Sequence, residues 1–158
     1  MSNILITMKN GDTIEAELYP EAAPKTVENF LGLIEKSFFD GLVFHRIIEG
    51  FMIQGGGYDE SGRHKECDSI KGEFRTNGFD NPIKHERGVL SMARTSVPDS
   101  ASSQFFIMHQ AAPHLDGQYA AFGKVTKGIE VVDKIATVET NFMDAPIEPQ
   151  VIESIRII

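Results

Sequence analysis

Ile4, Ile6 and Met8 alternate with Leu5, Thr7 and Lys9, and Asn10-Gly11 then supplies a turn. Beyond it Ile14, Ala16 and Leu18 alternate with Thr13, Glu15 and Glu17. A period of two on both sides of a turn dipeptide predicts a β-hairpin. Its second strand is apolar on one face and polar on the other, as when one face packs on a core. After Pro24 the period changes. Val27, Phe30, Leu31 and Ile34 fall at i, i+3, i+4 and i+7, which predicts a helix with Pro24 in its first turn and Gly41 after its end. A second, shorter helix is expected from Gly128 to Ala136, with Val131, Val132, Ile135 and Ala136 facing inward.

Short β-like runs fill the rest: Leu42 to Ile48, Phe51 to Gln54, Gly88 to Met92, Gln104 to Met108, Ala120 to Val125 and Val151 to Ile157. With the hairpin they make eight short strands against two helices, separated by turn residues. An antiparallel barrel or sandwich with helices covering its open ends satisfies that set best. The stretch from Gly55 to Asn81 is rich in glycine and charge and reads as a long surface loop, a kind of segment that is often functional.

Composition narrows the classes. At 158 residues, with no internal repeat, low-complexity tract or linker, the chain reads as one domain over residues 1–158. It is 41% hydrophobic and 24% charged, the balance of a globular protein rather than a disordered one. The net charge of -8 argues against sequence-independent nucleic-acid binding, which needs Lys and Arg to neutralise phosphates. Cys67 is the only cysteine, so no internal disulfide and no cysteine-rich metal site is available. No run of about 18 apolar residues could span a bilayer as a helix. The opening residues lack the basic region and apolar stretch of a secretory signal, so the expected address is cytoplasmic.

Two segments carry a resemblance. One is Phe44-His45-Arg46-Ile47-Ile48-Glu49-Gly50-Phe51-Met52-Ile53-Gln54-Gly55-Gly56; the other is Leu90-Ser91-Met92-Ala93 followed by Ser103-Gln104-Phe105-Phe106-Ile107. In order and spacing they resemble the signature blocks of the cyclophilins. Leu115 to Tyr119, Phe122 to Val125 and Pro24 to Phe30 resemble further blocks, so the likeness covers nearly the whole chain. It implies a closed eight-stranded antiparallel β-barrel capped by two α-helices, packed solid inside, with a substrate groove outside. It also implies peptidyl-prolyl cis/trans isomerisation of proline-containing peptides and unfolded or flexible protein segments, by a monomer acting in protein folding.

The chemistry suits these residues. The peptide C–N bond turns over a barrier of about 18–20 kcal/mol, and uncatalysed X–Pro exchange takes tens to hundreds of seconds. Turnover at about 10 to 10³ per second requires the site to supply about 4–7 kcal/mol. Binding the twisted amide more tightly than either planar form meets that need, without nucleophile, metal or other cofactor. In the twisted state the prolyl nitrogen carries a localised lone pair, and a fixed cationic fork aimed at it acts selectively. Arg46 is the candidate. The resemblance places Phe51, Met52, Phe106 and Leu115 around an apolar proline slot and gives Gln54 the substrate backbone. Ala93 and Arg94 fall at a backbone-binding position, and Gln104 and Tyr119 complete the rim.

Departures from the best-known eukaryotic members carry expectations of their own. His114 stands at the groove edge where they usually have tryptophan, which predicts reduced cyclosporin affinity. Tyr119 replaces a frequent His and Arg94 a frequent Asn, and the loop between Ala93 and Gln104 is one residue longer; these features resemble the bacterial branch. Strand alternation makes Phe105 and Phe106 face opposite ways; the resemblance puts Phe106 in the groove and so leaves Phe105 in the core. The same argument points His45 away from the face that Arg46 uses.

Rival readings are a non-catalytic module or chaperone that holds proline peptides, and a metal hydrolase. Gly55-Gly56-Gly57 lacks the Gly-Lys-Ser/Thr of a phosphate loop. His64 to Asp68 lacks zinc-like spacing. Ser102, Ser103, His109, His114 and Asp116 lack a nucleophile elbow.

Overall fold

The computed structural model describes residues 2–158; Met1 lies outside them. The hairpin forms as β1 (Ser2–Met8) and β2 (Thr13–Leu18), followed by α1 (Pro24–Glu35), β3 (Leu42–Ile48) and β4 (Met52–Asp59). Then come β5 (Val89–Met92), β6 (Phe105–Met108), β7 (Ala121–Lys127), α2 (Ile129–Ala136) and β8 (Ile152–Ile157). Every strand pair is antiparallel, in the order β3-β4-β6-β5-β7-β2-β1-β8. The two ends of this sheet meet. Val43 bridges Val151, the Phe44 N–H donates to the Gln150 carbonyl at 3.0 Å, and the Gly41 N–H donates to that of Ile152 at 2.8 Å. The result is a nearly closed eight-stranded barrel with two helices, as the pattern and the resemblance imply.

Ile4, Ile6, Ile14, Leu18, Phe44, Ile53, Phe105 and Phe122 are buried in the barrel interior, which leaves no room for a ligand there. On α1, Val27, Phe30 and Ile34 are buried, and Phe30 meets Phe105 edge-on at 5.2 Å. Leu33 rather than Leu31 completes that face; Leu31 is half-buried at its border. A second apolar cluster lies on the outside of the barrel. Met52, Val89, Phe106, Met108 and Leu115 form it, so β6 is buried on both faces.

The Gly-rich segment departs from its sequence reading. β4 runs through Gly55, Gly56 and Gly57 to Asp59, so the surface loop begins after strand, not at Gly55. A Cβ on Gly55 would stand 2.6 Å from the Val43 carbonyl oxygen, and one on Gly57 would stand 2.5 Å from Gln104 Cγ. Close passage of the neighbouring strand's backbone demands glycine at Gly55, and Gly57 leaves room for the Gln104 side chain. Nor is the loop all surface. Glu73, Phe74 and Asn81 are buried, and Asn81 Nδ2 donates to the carbonyls of Glu73 and Ala121.

Candidate active site

Three adjacent strands lay out the site. Arg46 on β3 is the cross-strand partner of Gln54 on β4, and Gln54 is that of Phe106 on β6. Their side chains face outward because Phe44, Ile47, Ile53, Phe105 and Ile107 occupy the inward positions. The β3–β4 turn adds Phe51. The Gly50 N–H donates to Nδ1 of His109 (2.9 Å), and the Phe51 carbonyl accepts from the His109 N–H (2.9 Å).

Arg46, Phe51, Met52, Gln54, Ala93, Arg94, Phe106, Leu115 and Tyr119 together border one open cavity of about 180 Å³. Met52, Phe106 and Leu115 make an apolar floor, and Tyr119 stands edge-on to Phe106 with ring centroids 5.8 Å apart. Nη1 of Arg46 donates to Gln54 Oε1 at 3.3 Å, and Gln54 Nε2 donates to Gln104 Oε1 at 3.1 Å. This chain of donors aims the guanidinium across the mouth of the slot, where it forms no ion pair among the described residues. Gln104 thus stands beside the slot rather than in it, and lines an adjoining cavity with Gln54, Ala93 and Arg94. His114 is at the edge, its ring 5.9 Å from that of Phe51.

Arg94 differs from a free groove donor. Its guanidinium carbon stands 4.6 Å from the ring centres of both Phe74 and Tyr119, and the group donates to the carbonyls of Thr95 and Gln118. Cation–π contact with two rings makes it a wall that supports Tyr119. Phe74 belongs to this support, and nothing in the sequence pattern marked it.

Beneath the floor lies a buried chain of polar groups that the sequence reading missed. His85 Nε2 meets Ser91 Oγ at 2.8 Å, His85 Nδ1 meets Asp116 Oδ1 at 3.2 Å, and the His85 N–H donates to the same oxygen at 2.6 Å. Ser91 and His85 are shielded from solvent, so this Ser–His–Asp line offers no nucleophile to a substrate. The His85 ring stacks against Phe106 at 6.0 Å, which makes it a prop for the slot. No motif surrounds His85 in the sequence; only the fold brings it there.

His45 also departs from expectation. Phe44 and Ile47 both point inward, with two residues between them, because the β3–β4 register shifts between Phe44 and Arg46. Such a bulge breaks the alternation. His45 and Arg46 therefore share the outer face and border a second cavity together. Burial, then the charge of Arg46, then His64 push the His45 pKa down to about 4. Burial also lowers that of His85, against the opposing pull of Asp116. Unfolded histidines take up protons near pH 6.5, whereas these resist when folded, so acid favours the unfolded chain. Stability should fall as the pH drops from about 6.5 toward 4. Urea midpoints across that range would measure it, and His45→Gln should flatten part of the slope. A level profile from pH 6.5 to about 5, above the carboxylate range, would contradict this account.

Residues 3–157 match the family model described as cyclophilin type peptidyl-prolyl cis-trans isomerase/CLD. The chain is 42% identical over 167 aligned positions to peptidyl-prolyl cis-trans isomerase A of Dickeya dadantii (strain 3937), covering 99% of this chain and 85% of that protein. It is 50% identical over 123 positions to peptidyl-prolyl cis-trans isomerase B of Bacillus subtilis (strain 168), covering 78% and 82%. Among solved structures it resembles a cyclophilin-type isomerase of Cryptosporidium parvum determined in the presence of the dipeptide Ala-Pro. The TM-score is 0.83 at 31% identity, covering 99% of this chain and 98% of that one.

Proposed function

The chain belongs to the cyclophilin-type peptidyl-prolyl cis-trans isomerases, and from that premise we propose which of its residues carry the rotation of X–Pro bonds. The proline ring enters the cavity of about 180 Å³ and packs on Phe51, Met52, Phe106 and Leu115, with Tyr119 as its far wall. This volume is small beside the several hundred Å³ of an ordinary ligand pocket and suits one compact ring. With the ring clamped, the preceding carbonyl swings past it. Arg46 donates to the prolyl nitrogen as conjugation is lost, and Gln54 fixes Arg46 and the substrate backbone. The observation that carries this reading is the Arg46 guanidinium at the mouth of an apolar slot, aligned by Gln54 at 3.3 Å.

The groove opens on the outer barrel surface, so an extended segment can lie across it without threading a channel. Its substrates are exposed X–Pro segments of unfolded or flexible chains, and the role is assistance to folding by a monomer in the cytoplasm. Among the described residues no helix is long and apolar enough to cross a membrane. NMR exchange spectroscopy on the peptide Ala-Ala-Pro-Phe tests the central claim. Catalytic amounts of protein should speed cis/trans exchange. Peptide shifts on binding with exchange left slow would make the chain a proline-peptide binder instead.

Cyclosporin should inhibit this protein more weakly than tryptophan-bearing relatives. His114 presents a small ring beside Phe51, so the large contact surface and donor of an indole are missing. His114→Trp should tighten inhibition by about tenfold or more, the order of one good aromatic contact with a hydrogen bond. Unchanged inhibition would locate the difference elsewhere in the groove.

A further inference from the structure

A larger cavity of about 550 Å³ lies on the β3 side of Arg46, opposite the polar cavity that adjoins the slot past β4 and β6. Arg46 is the rim common to this cavity and the slot. Val43 and His45 of β3, Tyr58 of β4, and Met143, Ala145 and Pro146 of the connection to β8 supply its walls.

The cavity is built rather than left over. Asn141 Oδ1 accepts from the N–H groups of Met143 (2.9 Å) and Ala145 (3.1 Å), and the Asp144 carbonyl accepts from the Ile47 N–H at 2.8 Å. The connection is thereby folded on itself and pinned to the strand that carries Arg46. Yet it holds Phe142 and Met143 largely in solvent, 95% and 70% exposed, with Ile147 beside them at 56%. Single exposed apolar residues are ordinary; here three fall within six positions of the segment that walls the cavity, and Met143 borders the cavity itself.

We propose that this cavity is an accessory subsite for the substrate polypeptide, receiving an apolar or aromatic side chain two to four residues from the proline held in the slot. The inference rests on the assignment of the slot to proline, since continuity across Arg46 is what makes the occupant a peptide. Two to four extended residues span about 7–14 Å, enough to pass from one cavity to the next. His45, neutral at ordinary pH because its pKa is lowered to about 4, adds no charge to the wall. Asp59 and Glu60 on the same lining offset the attraction of Arg46, so an acidic side chain gains nothing there. The subsite thus selects apolar over acidic residues at a distance from the bond that rotates.

Two peptide series test it, built on Ala-Ala-Pro-Phe and extended by alanines at the N-terminus or the C-terminus, with Leu, Ala or Glu two to four residues from the proline. Kd is read by NMR titration, kcat and KM by exchange. In one of the two series Leu should lower Kd and KM by about tenfold relative to Ala, with kcat little changed, and Glu should bring no gain. Met143→Asp, at an exposed position, and Ala145→Trp, which fills the cavity, should each erase the Leu advantage and leave the constants for Ala-Ala-Pro-Phe unaltered. Equal binding of Leu and Ala peptides in both series, or a Leu advantage that survives both variants, would overturn the proposal. Failure to catalyse exchange of Ala-Ala-Pro-Phe would instead sink the isomerase reading, and the Kd values would still decide the accessory subsite.

Discussion

Arg46→Ala should lower kcat/KM for X–Pro isomerisation by about 10²-fold or more, roughly 3 kcal/mol of transition-state stabilisation, while the fold survives. The site has about 4–7 kcal/mol to supply in total, and most of its residues bind planar and twisted amide alike. Phe51, Met52 and Leu115 hold the proline ring in every state of the bond, so their contacts act mainly on KM. Only a donor aimed at the nitrogen gains strength as the lone pair localises. Arg46 is well placed for that differential role, because Gln54 fixes it and its remaining donors form no ion pair among the described residues. The side chain is exposed, so its removal leaves no buried hole. Arg46→Lys should recover only part of the loss, since an ammonium keeps the charge but not the fork. Turnover should also be level between about pH 6 and 8, where neither arginine nor glutamine side chains titrate. Exchange rates for the three proteins on one peptide, with circular dichroism to confirm folding, would settle the matter. A loss of only a few-fold in a folded Arg46→Ala would take the residue out of its role, and a bell-shaped pH profile would move attention to His114.

The barrel was legible because strands with one buried face write a period of two and helices a period of 3.6. The hairpin, the helix that begins at Pro24 and the shorter helix after Gly128 all lie where those periods put them. β4 was harder. Three glycines in a row carry no pattern; Gly55 and Gly57 answer to Val43 and Gln104, and Gly56 to its positive φ and to Phe105 and Ser103, none of them within the run. His45 failed for a related cause: alternation assumes an unbroken ladder, and one bulge turned its side chain to the face of Arg46. The slot-lining set came from resemblance, and the structure brings it together around one cavity apart from Gln104 and His114 at the margins. What no local pattern carries is the support. His85, Ser91 and Asp116 meet only after β5 and the turn before β7 have packed, and Phe74 reaches Arg94 from a loop that reads as solvent-exposed.

That loop also governs stability, and Glu73→Ala should cost about 3 kcal/mol, lowering the Tm by about 6–12 °C in a protein of this size. Helix α1 begins without a cap of its own. Ala23 at its start makes no side-chain hydrogen bond, and no acidic residue occupies the first turn. The first N–H groups of a helix have no intrahelical partner, and burying them unpaired is expensive. Glu73, 47 or 48 positions away in the chain, supplies what is missing. Its Oε1 accepts from the Thr26 N–H at 2.7 Å and the Thr26 hydroxyl at 2.8 Å, and its Oε2 accepts from the Lys25 N–H at 3.2 Å. A carboxylate at the positive end of the helix dipole adds to these bonds. Because Thr26 is fully buried, water cannot replace the lost acceptor without opening the contact. Glu73→Gln keeps one oxygen but loses the charge, so it should fall between wild type and Glu73→Ala. Hydrogen exchange at Lys25 and Thr26 should rise selectively in both variants, since those amides lose their partners first. Thermal melts of the three proteins decide the point. A drop of less than about 2 °C for Glu73→Ala would mean that the helix finds its cap elsewhere, and that the loop rests on α1 without securing it.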